Sequence, residues 1–178
     1  IIILLYYKSL TYPVIIQKSF IDNQYYTVRN DINKEQAANI LANIKHKSIT
    51  LINKLVKEYP TNKDILRLYK RFNPNNIFET TYKKNYTSYS VNKGEQIYIC
   101  LRNINKDFEN INTIFFVMMH ELAHLMTEKY DLNNLHSNIF WNNFKLLEDK
   151  AVSYNLYNYV DYSKNPQKYC NTTIFSNP

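Results

Sequence analysis

The chain has 178 residues, 45% hydrophobic and 21% charged, enough for one domain with a real core and unlike a disordered or low-complexity polymer. Twenty-two basic against fifteen acidic side chains give a formal charge of +7 and a sequence pI of about 9.2, but the lysines are scattered and form no dense basic run, so composition alone reads as a solvated lysine-rich surface. Two cysteines, Cys100 and Cys170, exclude a disulfide framework and leave either one bridge or two free thiols.

The composition holds one glycine and 17 tyrosines, beside heavy use of Asn, Ile and Lys. That pattern reads as the codon bias of an AT-rich genome, so single Asn, Lys or Tyr residues carry little information. The glycosylation sequons at Asn85 and Asn171 are what chance gives in so Asn-rich a chain.

The start, "IIILLYYKSL", lacks an initiator Met and reads as that of a fragment or a processed form. Residues 1–10 are set apart as an apolar N-terminal segment. They are either the end of a membrane anchor that is missing here, with Lys8 as flanking charge, or a buried strand. Residues 11–178 show no repeats and no Gly/Ser linker, and read as a single domain. "YPVIIQKSFIDNQYYTVR" predicts one or two strands with a turn near Asp22 and Asn23. Asn33 and Gln36 predict a capping box, opening a long helix over 34–59 that Pro60 ends. His46, on that helix, reads as a surface residue. "TNKDILRLYKRF" predicts a shorter helix, closed by Pro74. "YTSYSVNKGEQIYICLR" predicts two strands, with the sole glycine, Gly94, in the turn between them. Helices over 111–129 and 138–158 follow, separated by the loop "YDLNNLHSN". Strands ahead of a set of helices indicate an α+β domain.

The helix over 111–129 carries the chemistry. At about 100° per residue, Ile111, Ile114, Phe115, Met118, Leu122, Leu125 and Met126 share one face. His120 and His124 fall together on nearly the opposite side, flanked by Phe116, Val117 and Ala123. Both sides are apolar, so the helix is expected to be sandwiched. Three ionisable groups in such a helix are costly unless something compensates them. Two imidazoles one turn apart can ligate one zinc ion (Zn2+), and Glu121 beside them can act as general base on a water. This is H-E-x-x-H.

A catalytic zinc needs a third protein ligand and an open position. Thr127 and Tyr130 stand where the metzincin pattern would have Gly and His, which excludes that class. Two candidates remain: His136, in the loop before the next helix, and Glu148, in register with the inward positions Phe140, Phe144, Leu147 and Ala151. Imidazole is the commoner neutral ligand, so His136 is favoured. Glu148 would otherwise be a supporting group or the partner of a lysine.

"HELAHLMTEKYDLNNLHSNIFWNNFKLLEDKA" resembles the SprT-like and WLM (Wss1-like) metallopeptidases, including those of large DNA viruses. His120, Glu121, His124 and His136 match the family residue by residue, followed by Phe140, Trp141, Leu146 and Leu147. Ser137 stands where the family often has Gly. The resemblance covers roughly residues 87–152. It implies a zincin-like α+β fold with a small antiparallel sheet, a protein or peptide substrate, and an edge strand that binds substrate by β-augmentation, by position "QIYICLR". It also implies a link to nucleic acid, which the +7 charge permits without showing.

The expectation is therefore a zinc-dependent metalloendopeptidase with His120, His124 and His136 as metal ligands and Glu121 as catalytic base. Tyr162, Tyr169 and Arg102 are the candidates for stabilising the transition state. A deformylase-like site would use Cys100 as third ligand, but its glycine-flanked cysteine motif is missing. The reading from another class is a catalytically silent zincin-fold protein, tethered to a membrane or part of a viral particle, whose metal would be closed by a fourth ligand such as Glu148 or Cys100. Oligomeric state and compartment are left open by the sequence.

Overall fold

The computed structural model describes residues 13–81, 87–92, 94–128 and 136–178. The apolar segment 1–10 lies outside these, as does most of the loop ahead of His136. Among the described residues no helix is long and apolar enough to cross a membrane.

The chain opens with an antiparallel hairpin, β1 (Val14–Lys18) and β2 (Tyr25–Arg29). Asn23 takes the positive φ of 59° in its turn, a conformation Asn tolerates better than most residues. Helix α1 (Lys34–Glu58) follows and buries Ala37, Ala38, Leu41, Ile44, Leu51 and Leu55. The expected capping box does not form. Asn33 is left-handed (φ 56°) and its side chain makes no cap hydrogen bond, because a capping side chain needs an extended backbone to reach the first turn. Helix α2 (Lys63–Arg71) does have a side-chain cap: Asn62 accepts from the amides of Asp64 and Ile65.

Three short strands make the central sheet: β3 (Ile77–Glu79), β4 (Tyr89–Val91) and β5 (Gln96–Ile99). Their order is β3-β5-β4, with β4 antiparallel and β3 parallel to β5. So the α+β class stands as expected, and to the antiparallel pair the sheet adds a parallel third strand. One expectation is corrected here. "QIYICLR" contains β5, which is paired on both sides, so its backbone groups are already used and it offers no edge. The edge beside it is β4.

Gly94 sits in the β4–β5 turn at φ 96°. A Cβ there would lie 2.3 Å from Leu125 Cγ, so the turn needs glycine for its backbone and for the close approach of the next helix. That helix, α3 (Ile111–Met126), buries eleven of its side chains, including Phe115, Phe116, Met118, Leu122 and Leu125, as a sandwiched helix should. Its exposed carbonyls are met from α2. Arg67 Nη1 donates to Met126 O, and Arg71 Nη1 to Leu125 O and Thr127 O at 2.9 and 3.1 Å.

Helix α4 (Asn138–Ser153) packs extensively on α3. Its N-cap is Ser137, whose hydroxyl accepts from Phe140 N at 3.4 Å. This gives a physical role to the residue that departs from the family's glycine. A C-terminal hairpin, β6 (Gln167–Tyr169) and β7 (Thr172–Ile174), completes the chain. A disulfide between Cys100, just after β5, and Cys170, in this hairpin's turn, fastens it to the central sheet.

Candidate metal centre

α3 presents His120 and His124 one turn apart, as the i and i+4 spacing dictates. His136 reaches them from the residue before the α4 N-cap. His120 Nε2 lies 3.2 Å from His124 Nε2 and 3.2 Å from His136 Nε2. One ring nitrogen of each of the three lies within 4.8 Å of the others. One ring nitrogen carries either a single hydrogen or a single lone pair, so His120 Nε2 cannot satisfy both neighbours by hydrogen bonds. Three imidazole nitrogens this close could instead direct their lone pairs at a shared ion. Tetrahedral ligands at zinc–nitrogen distances of about 2.0–2.1 Å would stand about 3.3–3.4 Å apart, so the observed spacing fits that ion.

Phe140 of α4 holds the rings in place. It is fully buried, and its ring centroid lies 4.9 Å from that of His120, 4.5 Å from His124 and 4.6 Å from His136. Phe144 packs edge-on against His120 at 5.4 Å. This apolar setting keeps the imidazoles neutral. Burial, with the repulsion of His124 and His136 added, lowers His120 to about 3. Burial and His136 lower His124 to about 4, and burial lowers His136. Neutral imidazole is the ligating form.

Glu121 is 5% exposed and lines the same cleft as His120 and His136. Burial pushes its carboxyl up to about 7, while hydrogen bonds with the side chain and backbone of Ser90 draw it back. Ser90 lies in β4, so the edge strand and the candidate base are in direct contact. Nothing in the local sequence marks Ser90 for this role, because a serine in a short strand looks like any other.

The remaining candidates stand elsewhere. Glu148 is buried away from the three histidines and accepts from Asn177 Nδ2 at 2.8 Å. Cys100 is tied up in the disulfide, which removes it as a metal ligand and with it the deformylase-like alternative. Among the described residues no fourth His, Cys, Asp or Glu joins the cluster. Arg102 is fully buried; its Nε stands 3.0 Å from Glu79 Oε1, and Arg29 Nε reaches the same oxygen at 3.0 Å. This ion cluster ties β2, β3 and the segment after β5 together, and Arg102 is not among the residues lining the cleft. Tyr162 is fully buried behind Phe116, centroid to centroid 4.6 Å. Tyr169 lines the cleft, but its hydroxyl donates to Cys100 O at 2.6 Å and contacts Ser88 Oγ at 2.8 Å. His46 is a half-exposed surface residue, 3.7 Å from Asp22.

The cleft has a volume of about 370 Å³. Its far wall is the stretch Thr172–Ser176 from the C-terminal hairpin, which the sequence reading missed entirely. Only the paired cysteines hinted at it: a bridge from Cys170 to the sheet would bring that stretch to the site.

A family profile described as the WLM domain matches residues 20–175. An uncharacterized protein, R325, of Acanthamoeba polyphaga mimivirus is 34% identical over 164 residues, spanning 88% of this chain and 80% of that relative. Two crystal structures of Wss1 from Saccharomyces cerevisiae share the fold at 24% identity. The first covers 72% of this chain and 87% of its own, with a TM-score of 0.50. The second, of a Wss1 mutant, covers 73% and 91%, with a TM-score of 0.51.

Proposed function

The chain belongs to the WLM domain family, and from that premise and the site geometry we propose that it is a zinc-dependent metallopeptidase. The observation that carries the reading is the convergence of three neutral imidazole nitrogens beside a buried carboxyl in an open cleft. His120, His124 and His136 would hold the ion, leaving one position for water or substrate. Zinc, when bound, makes a water acidic near neutral pH and polarises a carbonyl.

The protein's own groups do the rest. Glu121, whose buried carboxyl ionises only near 7, takes the proton of the attacking water on its Oε and can return it to the leaving amine. Ser90 holds that carboxyl and limits its rotation. β4 ends the sheet, and an extended peptide laid across the cleft could pair with this edge beyond the Ser90 backbone group that Glu121 engages. Phe140 and Phe144 keep bulk water from the back of the histidine rings.

Glu121→Gln is the direct test. It keeps size and polarity but cannot accept the proton. Peptide hydrolysis should fall by at least about 100-fold, in line with the worth of a general base, while zinc content and melting temperature are held. Hydrolysis at the native rate by this variant would refute the mechanism.

A further inference from the structure

The cleft that holds His120 and Glu121 is a single chamber with one continuous apolar wall, and Thr87, Ser88, Thr172, Thr173 and Ser176 line the rest of it. Phe116 and Val117 come from α3, Trp141 and Phe144 from α4, and Ile174 and Phe175 from the C-terminal hairpin. Phe116 and Phe144 pack at 5.0 Å between centroids, and Trp141 stacks with Phe144 at 6.3 Å, so the aromatic surface is continuous. No lysine, arginine or aspartate is among the lining residues described, and the hydroxyl of Tyr169 is engaged with the backbone. The ionisable lining groups are Glu121, His120 and His136, already assigned to the reaction, and the other polar lining groups are neutral hydroxyls.

We propose that this chamber is a side-chain subsite that selects an aromatic or bulky aliphatic residue directly flanking the cleaved bond. The inference rests on the peptidase reading of the site and gives it a substrate class. Three arguments support it. First, His120 and Glu121 line the same chamber as the apolar wall, so a side chain seated on that wall lies next to the reacting carbonyl. Second, a volume of about 370 Å³ is at the size that takes one large side chain together with adjoining backbone. Third, a Phe or Leu against the apolar wall trades water for ring faces, whereas Lys or Asp there would lose hydration and meet no dedicated counter-charge. A methylene or two in such a pocket is worth roughly 10–200-fold in discrimination, and a charge is rejected more strongly.

The chain's single tryptophan is Trp141, so its fluorescence reports on the chamber without interference. The probes are blocked alanine–serine hexapeptides carrying one Phe, Leu, Ala, Lys or Asp at the centre. They are titrated onto the zinc-loaded Glu121→Gln chain and, separately, onto the metal-free native chain, reading Trp141 emission. Phe and Leu peptides should bind at least about 10-fold tighter than Lys and Asp peptides in both forms. Equal binding across the series, or tighter binding of the charged peptides, overturns the subsite. The same peptides are then incubated with the zinc-loaded native chain, and the cut positions are read by mass spectrometry. Cuts beside Phe and Leu support the subsite; cuts spread without regard to side chain overturn it, while leaving the peptidase reading intact. Preferential binding with no cleavage leaves an apolar binding pocket but overturns its role beside a cleaved bond, together with the peptidase reading. Phe175→Lys, on the exposed rim of the chamber, should weaken Phe binding and strengthen Asp binding; the variant leaves the core untouched.

Discussion

At the scale of single residues, the two candidates for the third ligand separate cleanly. His136 stands 3.2 Å from His120 Nε2, and Glu148 bonds Asn177 instead. His136→Ala should therefore cost more zinc affinity than the about 10–100-fold typical of a supporting residue, whereas Glu148→Gln should leave affinity unchanged in a competition titration against a chelator. Glu148 has a different signature. Burial raises its carboxyl above the ordinary value, outweighing the Asn177 hydrogen bond. A raised acid keeps its proton longer in the folded chain than in the unfolded one. As pH climbs through the ordinary carboxylate range, the unfolded state releases the proton first, and stability falls. Glu148→Gln removes that loss. Its melting temperature should exceed the native value at neutral pH, by about 2–4 °C for each kcal/mol relieved, and match it below about pH 4. A constant difference across this range would show that the carboxyl does not titrate abnormally.

At the scale of elements, Gly94 governs how α3 is seated. Gly94→Ala places a Cβ against Leu125 and forces an L side chain into positive φ. The expected loss is about 1–3 kcal/mol from overpacking, with about 1 kcal/mol more from the backbone, read by denaturant titration. An unchanged midpoint would mean that the turn moves aside freely. The elements also show what could be read beforehand. Long helices announced themselves, because burying one face of Lys34–Glu58 or Ile111–Met126 imposes a period on many residues. His120, Glu121 and His124 were legible for the same reason: a helix fixes their relative angles. His136 was legible from ligand chemistry, which asks for a third imidazole, and from the resemblance, since no local rule brings a loop residue to a helix. β3, β6 and β7 were not legible. Three residues such as "IFE", "QKY" or "TTI" hold too little alternation to exceed the background. Nor does a strand's own sequence say how many neighbours it has, which is why β5 rather than β4 was taken for the edge.

At the scale of the whole molecule, one core runs from the first hairpin through α1 and α3 to Tyr169, and the cleft is cut between α3, α4 and the C-terminal hairpin. The hairpin is the least internally secured wall, with three residues per strand. Its anchors are the Cys100–Cys170 bridge, the amide of Cys170 donating to Glu109 Oε1 at 2.7 Å, and Thr113 Oγ1 bonding Gln167 Oε1 at 2.8 Å. Replacing both cysteines by serine should cost about 2–4 kcal/mol in unfolding free energy. It should also weaken substrate binding more than it slows the chemical step, because the wall and not the histidines is released. A change confined to kcat would contradict that assignment.

The same bridge spans 70 positions of sequence and so closes a covalent ring around α3, His136 and α4. All three histidines and Glu121 lie inside it. A single backbone cut anywhere between residues 100 and 170, whether by a foreign protease or by another copy of this chain, opens the ring but releases nothing. The nicked molecule should migrate as one species in electrophoresis without thiol and as two fragments after reduction. Preparations that look intact can therefore conceal self-cleavage, and their zinc content would report on a severed polypeptide whose ligands remain tethered together.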